Sequence, residues 1–76
     1  MTYEEFKKLV KEKFAKCMPD LAEAEVDEYI NSEEAGTVIE QEYAISLTQL
    51  QNGEITETIF RNGSVGAAAS CLYMMY

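Results

Sequence analysis

The chain has 76 residues, of which 47% are apolar, and its 14 acidic and six basic side chains give a net charge of −8. A chain of this length forms one domain at most, and such a domain buries about 60% of the surface that its unfolded form exposes. Histidine, the side chain that moves protons most readily near neutral pH, is absent. The composition predicts a single small helical domain, residues 1–76, and argues against an enzyme.

The first predicted helix opens with a capping box made by Thr2 and Glu5. Apolar residues then recur at the three- and four-residue spacing of one helical face, namely Phe6, Leu9, Val10, Phe14 and Cys17. The opposite side carries Lys7, Lys8, Lys11, Lys13 and Lys16. Pro19 predicts that this helix ends near Cys17 or Met18, because the residue before a proline disfavours helical backbone.

A second helix is predicted to begin at once, because Asp20 and Glu23 repeat the capping pattern. Its inward face would contain Ala22, Val26, Tyr29 and Ile30. Gly36 is the expected end or break of this helix, since glycine accepts a left-handed cap without strain.

The segment from Thr37 to Phe60 supports two interpretations. As a helix, it places Ile39, Tyr43, Leu47 and Leu50 on one face, with a cap at Asn52-Gly53 and a short further helix over Thr56 to Arg61. As a hairpin, it would turn at Asn52-Gly53 between two β-rich flanks. Strict alternation of apolar residues fails in those flanks, so the helix is favoured.

Asn62-Gly63-Ser64 reads as the end of one helix and the start of the next, with Gly63 as the cap and Ser64 as the new N-cap. The last helix, from Val65 to Tyr76, is apolar on all sides, and a helix without a polar face is normally surrounded. We therefore predict an all-α fold, a compact bundle of four to five short helices with a central apolar C-terminal helix. The predicted core comprises Phe6, Leu9, Val10, Phe14, Val26, Ile30, Ile39, Tyr43, Leu47, Phe60, Val65, Ala69 and Leu72.

Charge is segregated along the chain, with eleven acidic and no basic residues between Pro19 and Phe60. This acidic stretch is either a solvated surface or a surface that attracts a basic protein partner through Glu23, Asp27 and Glu28. A sharper alternative is an inhibitor whose carboxylates imitate the phosphates of a nucleic acid. The lysines of the first helix are expected to pair with the acidic second helix and not to bind nucleic acid, because no aromatic residue interleaves with them to stack on bases.

The C-terminal residues form a second candidate for partner binding. Tyr73, Met74, Met75 and Tyr76 point around more than half of a helix. They either fill the core or, if a small bundle does not cover all four, form a dimer or partner-binding patch. Tyr and Met are frequent in binding surfaces. The candidate partner-binding residues here are Tyr73, Met74 and Tyr76, and we expect a monomer or a weak homodimer.

No catalytic, cofactor or metal site is predicted. Cys17 and Cys71 lack a histidine base and sit among apolar neighbours, so they are expected to be reduced core thiols or, alternatively, one bridge closing a long loop. The polar N-terminus is unlike a secretory signal, and the longest uncharged run has 15 residues, fewer than the about 20 that span a membrane. A cytoplasmic protein without membrane contact is expected.

Two stretches resemble known families. Cys17-Met18-Pro19-Asp20-Leu21 resembles the end of the first helix in CUE-type ubiquitin-binding domains, which are three-helix modules. That resemblance implies ubiquitin contacts at Met18 and Pro19, although the phenylalanine of the family motif is missing. The ending Phe60-Arg61-Asn62-Gly63-Ser64-Val65 with Cys71-Leu72-Tyr73-Met74-Met75-Tyr76 is similar to that of short uncharacterised bacterial proteins, and it implies no particular activity.

Overall fold

Four helices and no strand make up the computed structural model, which describes all 76 residues. The first three helices are α1 (Tyr3–Cys17), α2 (Glu23–Ile30) and α3 (Glu33–Gln51). The fourth runs without a break through Glu57–Ile59, Phe60–Ser64 and Val65–Met75, and we call residues 57–75 together α4. The all-α prediction is confirmed, and the segment for which a hairpin was the alternative is helical on both sides of a turn.

Helix α1 begins and ends where its sequence predicts. The Thr2 hydroxyl accepts the backbone N–H of Glu5 at 3.2 Å, which satisfies one of the donors that a helix leaves free at its start. The helix ends at Cys17, two residues before Pro19.

The predicted single helix from Asp20 to Gly36 is wrong, because the chain forms two helices there. Helix α2 starts at Glu23, where the Glu25 carboxylate accepts the N–H of Ala22 at 3.1 Å, and Ala22 itself is exposed. It ends at Ile30 because Ser32 caps a new helix and accepts the N–H of Ala35 at 3.3 Å. Gly36 therefore lies in the first turn of α3 and ends nothing.

Helix α3 ends at the Asn52-Gly53 pair, as predicted for the helical interpretation. Gly53 has a φ of 74°, in the left-handed region that favours glycine. The N–H of Gly53 donates to the Leu50 carbonyl at 3.1 Å, and the N–H of Glu54 donates to the Gln49 carbonyl at 2.8 Å. These two bonds define a Schellman cap, which turns the chain toward α4.

The predicted break at Asn62-Gly63-Ser64 is also wrong. Ser64 has helical backbone angles (φ −69°, ψ −40°) and makes no capping bond, and residues 60–64 form one π-helical turn inside α4. Phe60 and Val65 are five residues apart and both buried. The wider π turn allows this spacing to point into the core, whereas an α-helical step of five residues would rotate one of them away.

Helix α4 lies parallel to α1 and antiparallel to α3. Phe6 stacks on Phe60 with ring centroids 5.7 Å apart near the start of α1 and α4, and Phe14 meets Tyr76 at 6.0 Å near their ends. Tyr43, in the later half of α3, packs on Phe6 at 5.3 Å. Its hydroxyl donates to the Met1 carbonyl at 2.8 Å, which ties the N-terminus to α3.

Ten of the thirteen predicted core residues are buried, and the other three, Leu9, Tyr43 and Leu47, are partly buried against the core. Ala35 and Ala68 complete the core of twelve residues and were not predicted. Helix α4 is not surrounded, contrary to expectation. It buries Val65, Ala68, Ala69 and Leu72, while its opposite side is exposed.

Replacing Phe60 tests whether the π-helical turn serves to bury this ring. Phe60→Ala should lower the free energy of unfolding by about 3–5 kcal/mol, because it removes a fully buried aromatic side chain. The neighbouring Ile59 is 47% exposed, and Ile59→Ala should change stability by only about 0.5 kcal/mol. Urea unfolding of the two variants measures both values, and equal losses would contradict the burial of Phe60.

Two glycines in open space form a matched pair for the Schellman cap. A Cβ at Gly36 or at Gly53 would meet no heavy atom within 4 Å, so only the backbone distinguishes them. Gly36→Ala should stabilise the protein by about 0.5–1 kcal/mol, because it lies within a helix. Gly53→Ala should destabilise it by about 1–2 kcal/mol through its positive φ. Thermal unfolding should therefore shift in opposite directions for the two variants.

Candidate interaction surface on the C-terminal helix

One side of α4 carries apolar side chains that no other helix covers. We call Ala67, Ser70, Cys71 and Met74 the outer face of α4, and all four are exposed. Met74 is 85% exposed, and Tyr73, Met75 and Tyr76 beside it are each about half exposed. An exposed group of large apolar side chains of this kind is typical of a contact surface.

A shallow apolar recess lies next to Met74. It is lined by Cys17, Ser70, Tyr73 and Met74 and has a volume of about 480 Å³. The recess forms where the last residue of α1 meets α4, so it exists only because these helices lie parallel and end together. Met74 is thus both a projecting side chain and one wall of the recess.

Tyr29 of α2 holds the last turns of α4 in place. Its hydroxyl donates to the Leu72 carbonyl at 3.0 Å, and its ring meets Tyr76 edge-on at 4.9 Å. Burial raises the pKa of Tyr29, and the negative charge of Glu34 raises it further, with smaller contributions from Cys71 and Tyr76. Glu34 and Cys71 therefore both lie close to this phenol.

The outer face is bordered by opposite charges. On the α1 side, Lys13 and Lys16 follow the seam with α4, and a Cβ on Gly66 would lie 3.9 Å from the Lys13 ammonium. We call these two lysines the cationic flank. On the α2 and α3 side, Glu34 lies near Tyr29, and Glu28 lines a recess together with Tyr29 and Tyr76. We call Glu28 and Glu34 the anionic flank.

The acidic candidates on α2 do not form one site with those on α4. Glu23 is exposed and faces α1, where it lines a recess with Lys8 and Lys11. Asp27 forms an ion pair with Lys11. The hydrogen bond that the Lys11 ammonium donates to the Asp27 carboxylate is the main cause that raises the pKa of this lysine. Of these three acidic candidates, only Glu28 lines the recess beside Tyr76.

The lysine face of α1 was expected to pair with α2, and the Lys11–Asp27 contact is one such pair. The only other ion pair joins Arg61 to Glu57 at 3.6 Å within α4. Of the eleven carboxylates between Pro19 and Phe60, the nine other than Asp27 and Glu57 therefore form no ion pair. Most of the acidic surface is therefore not neutralised within the domain.

Both cysteines are exposed and free, so their placement in the core was wrong, and they do not form a bridge. Cys71 contacts the Met75 sulfur at 3.9 Å. Met18, a contact residue implied by the CUE resemblance, packs partly against the core, whereas Pro19 is exposed.

No group of three His, Cys, Asp or Glu side chains is arranged to hold a metal ion. None of the helices combines the length and the apolar character that crossing a bilayer requires. Comparison with protein-family models, with curated proteins and with solved structures gave no match. A functional proposal therefore depends on the geometry of the exposed surfaces.

Removing the Tyr29 hydroxyl tests how α4 is anchored. Tyr29→Phe should lower the free energy of unfolding at neutral pH by about 0.5–1.5 kcal/mol, because the bond to the Leu72 carbonyl is lost. Tyr73→Phe is the control, since Tyr73 is half exposed and its hydroxyl bonds to no other residue, and it should leave stability unchanged.

The same variant changes the alkaline dependence of stability. The pKa of folded Tyr29 is raised above its ordinary value of 10.0, so the unfolded chain loses this proton first as the pH rises. The stability that protonated Tyr29 contributes is complete below the ordinary pKa of 10.0, which applies to the unfolded chain. It is lost as the pH rises through the higher pKa of the folded state. Urea unfolding at a series of alkaline pH values should show a shallower loss for Tyr29→Phe than for the wild type. Parallel curves would contradict the anchoring role.

Proposed function

We propose that the protein is a non-catalytic protein–protein interaction domain that docks through the outer face of α4. The observation that carries this proposal is the exposure of Met74 and its three large neighbours on a helix that has no charged residue after Arg61. Fully burying one such side chain contributes about 1.5–3 kcal/mol. A protein surface that covers the outer face would therefore gain binding energy from side chains that the fold leaves in water.

The acidic surface would serve a different purpose in the same interaction. Nine carboxylates without an ion pair give a field that attracts basic surfaces and accelerates their encounter with the domain. Such steering changes the rate of association more than the final affinity, and salt weakens it. The apolar face would hold the complex, and Glu23 and Glu28 would guide its approach.

Substitutions on the two surfaces separate their contributions in a capture experiment from a lysate of the native host. Met74→Glu should abolish the capture of proteins that resist high salt, because it places a charge at the centre of the apolar face. Ile45→Glu is the matched control, since Ile45 is 56% exposed on α3, away from this face. It should retain the same proteins, and identical capture by Met74→Glu and the wild type would contradict the proposal.

A second candidate function is inhibition of a nucleic-acid-binding protein by mimicry of phosphates. The unpaired carboxylates favour it, because a phosphate-binding surface would meet negative charges that the domain itself does not neutralise. On this proposal, Glu23→Gln combined with Glu28→Gln weakens capture at low salt while Met74→Glu does not. Added DNA or RNA should also displace the captured proteins.

A further inference from the structure

We propose that the outer face of α4 docks against the same face of a second copy of this chain, in a dimer with two-fold symmetry. This inference rests on the proposed function and names the protein surface that covers Met74. The acidic surface around Glu23 stays free in such a dimer, where it can meet a different partner.

The shape of the outer face suits a second copy of itself. Met74 projects beside the recess that it lines with Cys17, Ser70 and Tyr73. When a two-fold axis passes between Met74 and the recess, each copy inserts its Met74 into the recess of the other, because an isologous interface exchanges the two positions. Small residues along the outer face, Ala67 and Ser70, let the two helices approach closely.

Charges of opposite sign lie on either side of the outer face. A two-fold axis that runs along α4 leaves the two copies of this helix parallel, and it places one flank of the first copy opposite the other flank of the second copy. Lys13 and Lys16 of each copy therefore lie on the same side of the interface as Glu28 and Glu34 of its partner, and this arrangement occurs twice in the dimer. Two flanks of the same sign would repel each other in this arrangement. The outer face therefore fits a partner that places a negative flank opposite Lys13 and Lys16 and a positive flank opposite Glu28 and Glu34. A second copy of the chain supplies both flanks.

The net charge of −8 on each copy opposes association, but much of it is far from the interface. Glu57 lies about 25 Å from Met74 along α4 at 1.5 Å per residue. Charges separated by more than about 8 Å are largely screened at physiological salt. The close pairs at the flanks are screened less, so they determine the relative orientation of the copies.

We expect a weak dimer, because only four large apolar side chains, Tyr73, Met74, Met75 and Tyr76, are exposed at this end of α4. A stable specific interface removes about 800 Å² from each partner, which is about a sixth of the 4807 Å² surface of this domain. The outer face of α4 and both flanks together must supply that area. We expect a dissociation constant in the micromolar to millimolar range.

Sedimentation equilibrium of the purified protein at physiological salt tests the dimer directly. The mass of the wild type should rise toward twice that of the monomer as the concentration increases from micromolar to millimolar. Met74→Glu should weaken association about tenfold or more, since its carboxylate would enter an apolar recess. A wild type that stays monomeric at millimolar concentration would overturn the inference.

Charge reversal tests the two-fold arrangement independently of the apolar contact. Lys13→Glu with Lys16→Glu makes both flanks negative, and Glu28→Lys with Glu34→Lys makes both positive. Each double variant alone should remain monomeric, and an equal mixture of the two should dimerise as the wild type does. Lys7→Glu with Lys8→Glu is the control, because it makes the same charge change on α1 beside Asn31, away from the outer face.

The outcomes also distinguish this inference from the proposed function. A mixture of the double variants that remains monomeric, although both are folded by circular dichroism, would overturn the two-fold dimer. A monomeric wild type that captures a different protein through Met74 would overturn the dimer and support the interaction domain. A wild type that dimerises but captures nothing from a lysate would support the dimer and count against a role with other partners.

Discussion

The parallel packing of α1 on α4 is the contact on which the rest of the structure depends. Phe6 on Phe60 fixes one end of the seam, and Phe14 on Tyr76 fixes the other. Ala68 and Ala69, two small side chains of α4, are buried in the same core between these two contacts. Once these two helices lie side by side, α3 can cover only the inner side of α4, and α2 reaches only its end.

The uncovered face of α4 follows from this arrangement and from the length of the chain. Covering an apolar helix on all sides takes several neighbours, and this domain has one long helix, α3, besides α1. Helix α2 has eight residues and is held by Tyr29 at the last turns of α4. A small domain has too little chain to enclose its most apolar segment, which explains why the exposed apolar surface lies on the helix whose sequence predicts the deepest burial.

The sequence predicted what local patterns determine, and failed where local signals compete or tertiary packing decides. Thr2 and Pro19 mark the ends of α1 correctly because no other signal interferes. Gly36 was predicted to end a helix, but a competing signal lies four residues before it. Ser32 and the two glutamates that follow it favour a helix N-terminus, and the structure follows that signal. The pair Gly63 and Ser64 resembles a break, but keeping Phe60 in the core favours a π turn, and no local rule reveals that preference.

Tyr73, Met74 and Tyr76 could be chosen as candidates because four large side chains cannot share one buried stripe. The sequence could not predict the recess at Cys17 or the flanking residues Lys13, Lys16 and Glu34. These residues adjoin the outer face only because α1 packs on α4 and because Tyr29 lies at the end of α4.

The segregation of charge along the chain becomes a segregation in space. Basic residues lie almost entirely on α1, and α2 packs beside α1 in a way that neutralises only Lys11 with Asp27. Lys13 and Lys16 of α1 border one side of α4, while Glu28 of α2 and Glu34 of α3 border the other. A surface with an apolar centre and flanks of opposite sign restricts the orientation in which another protein can cover it, because the reverse orientation brings like charges together. The fold thereby places basic and acidic residues, which are already separated along the chain, on opposite sides of Met74.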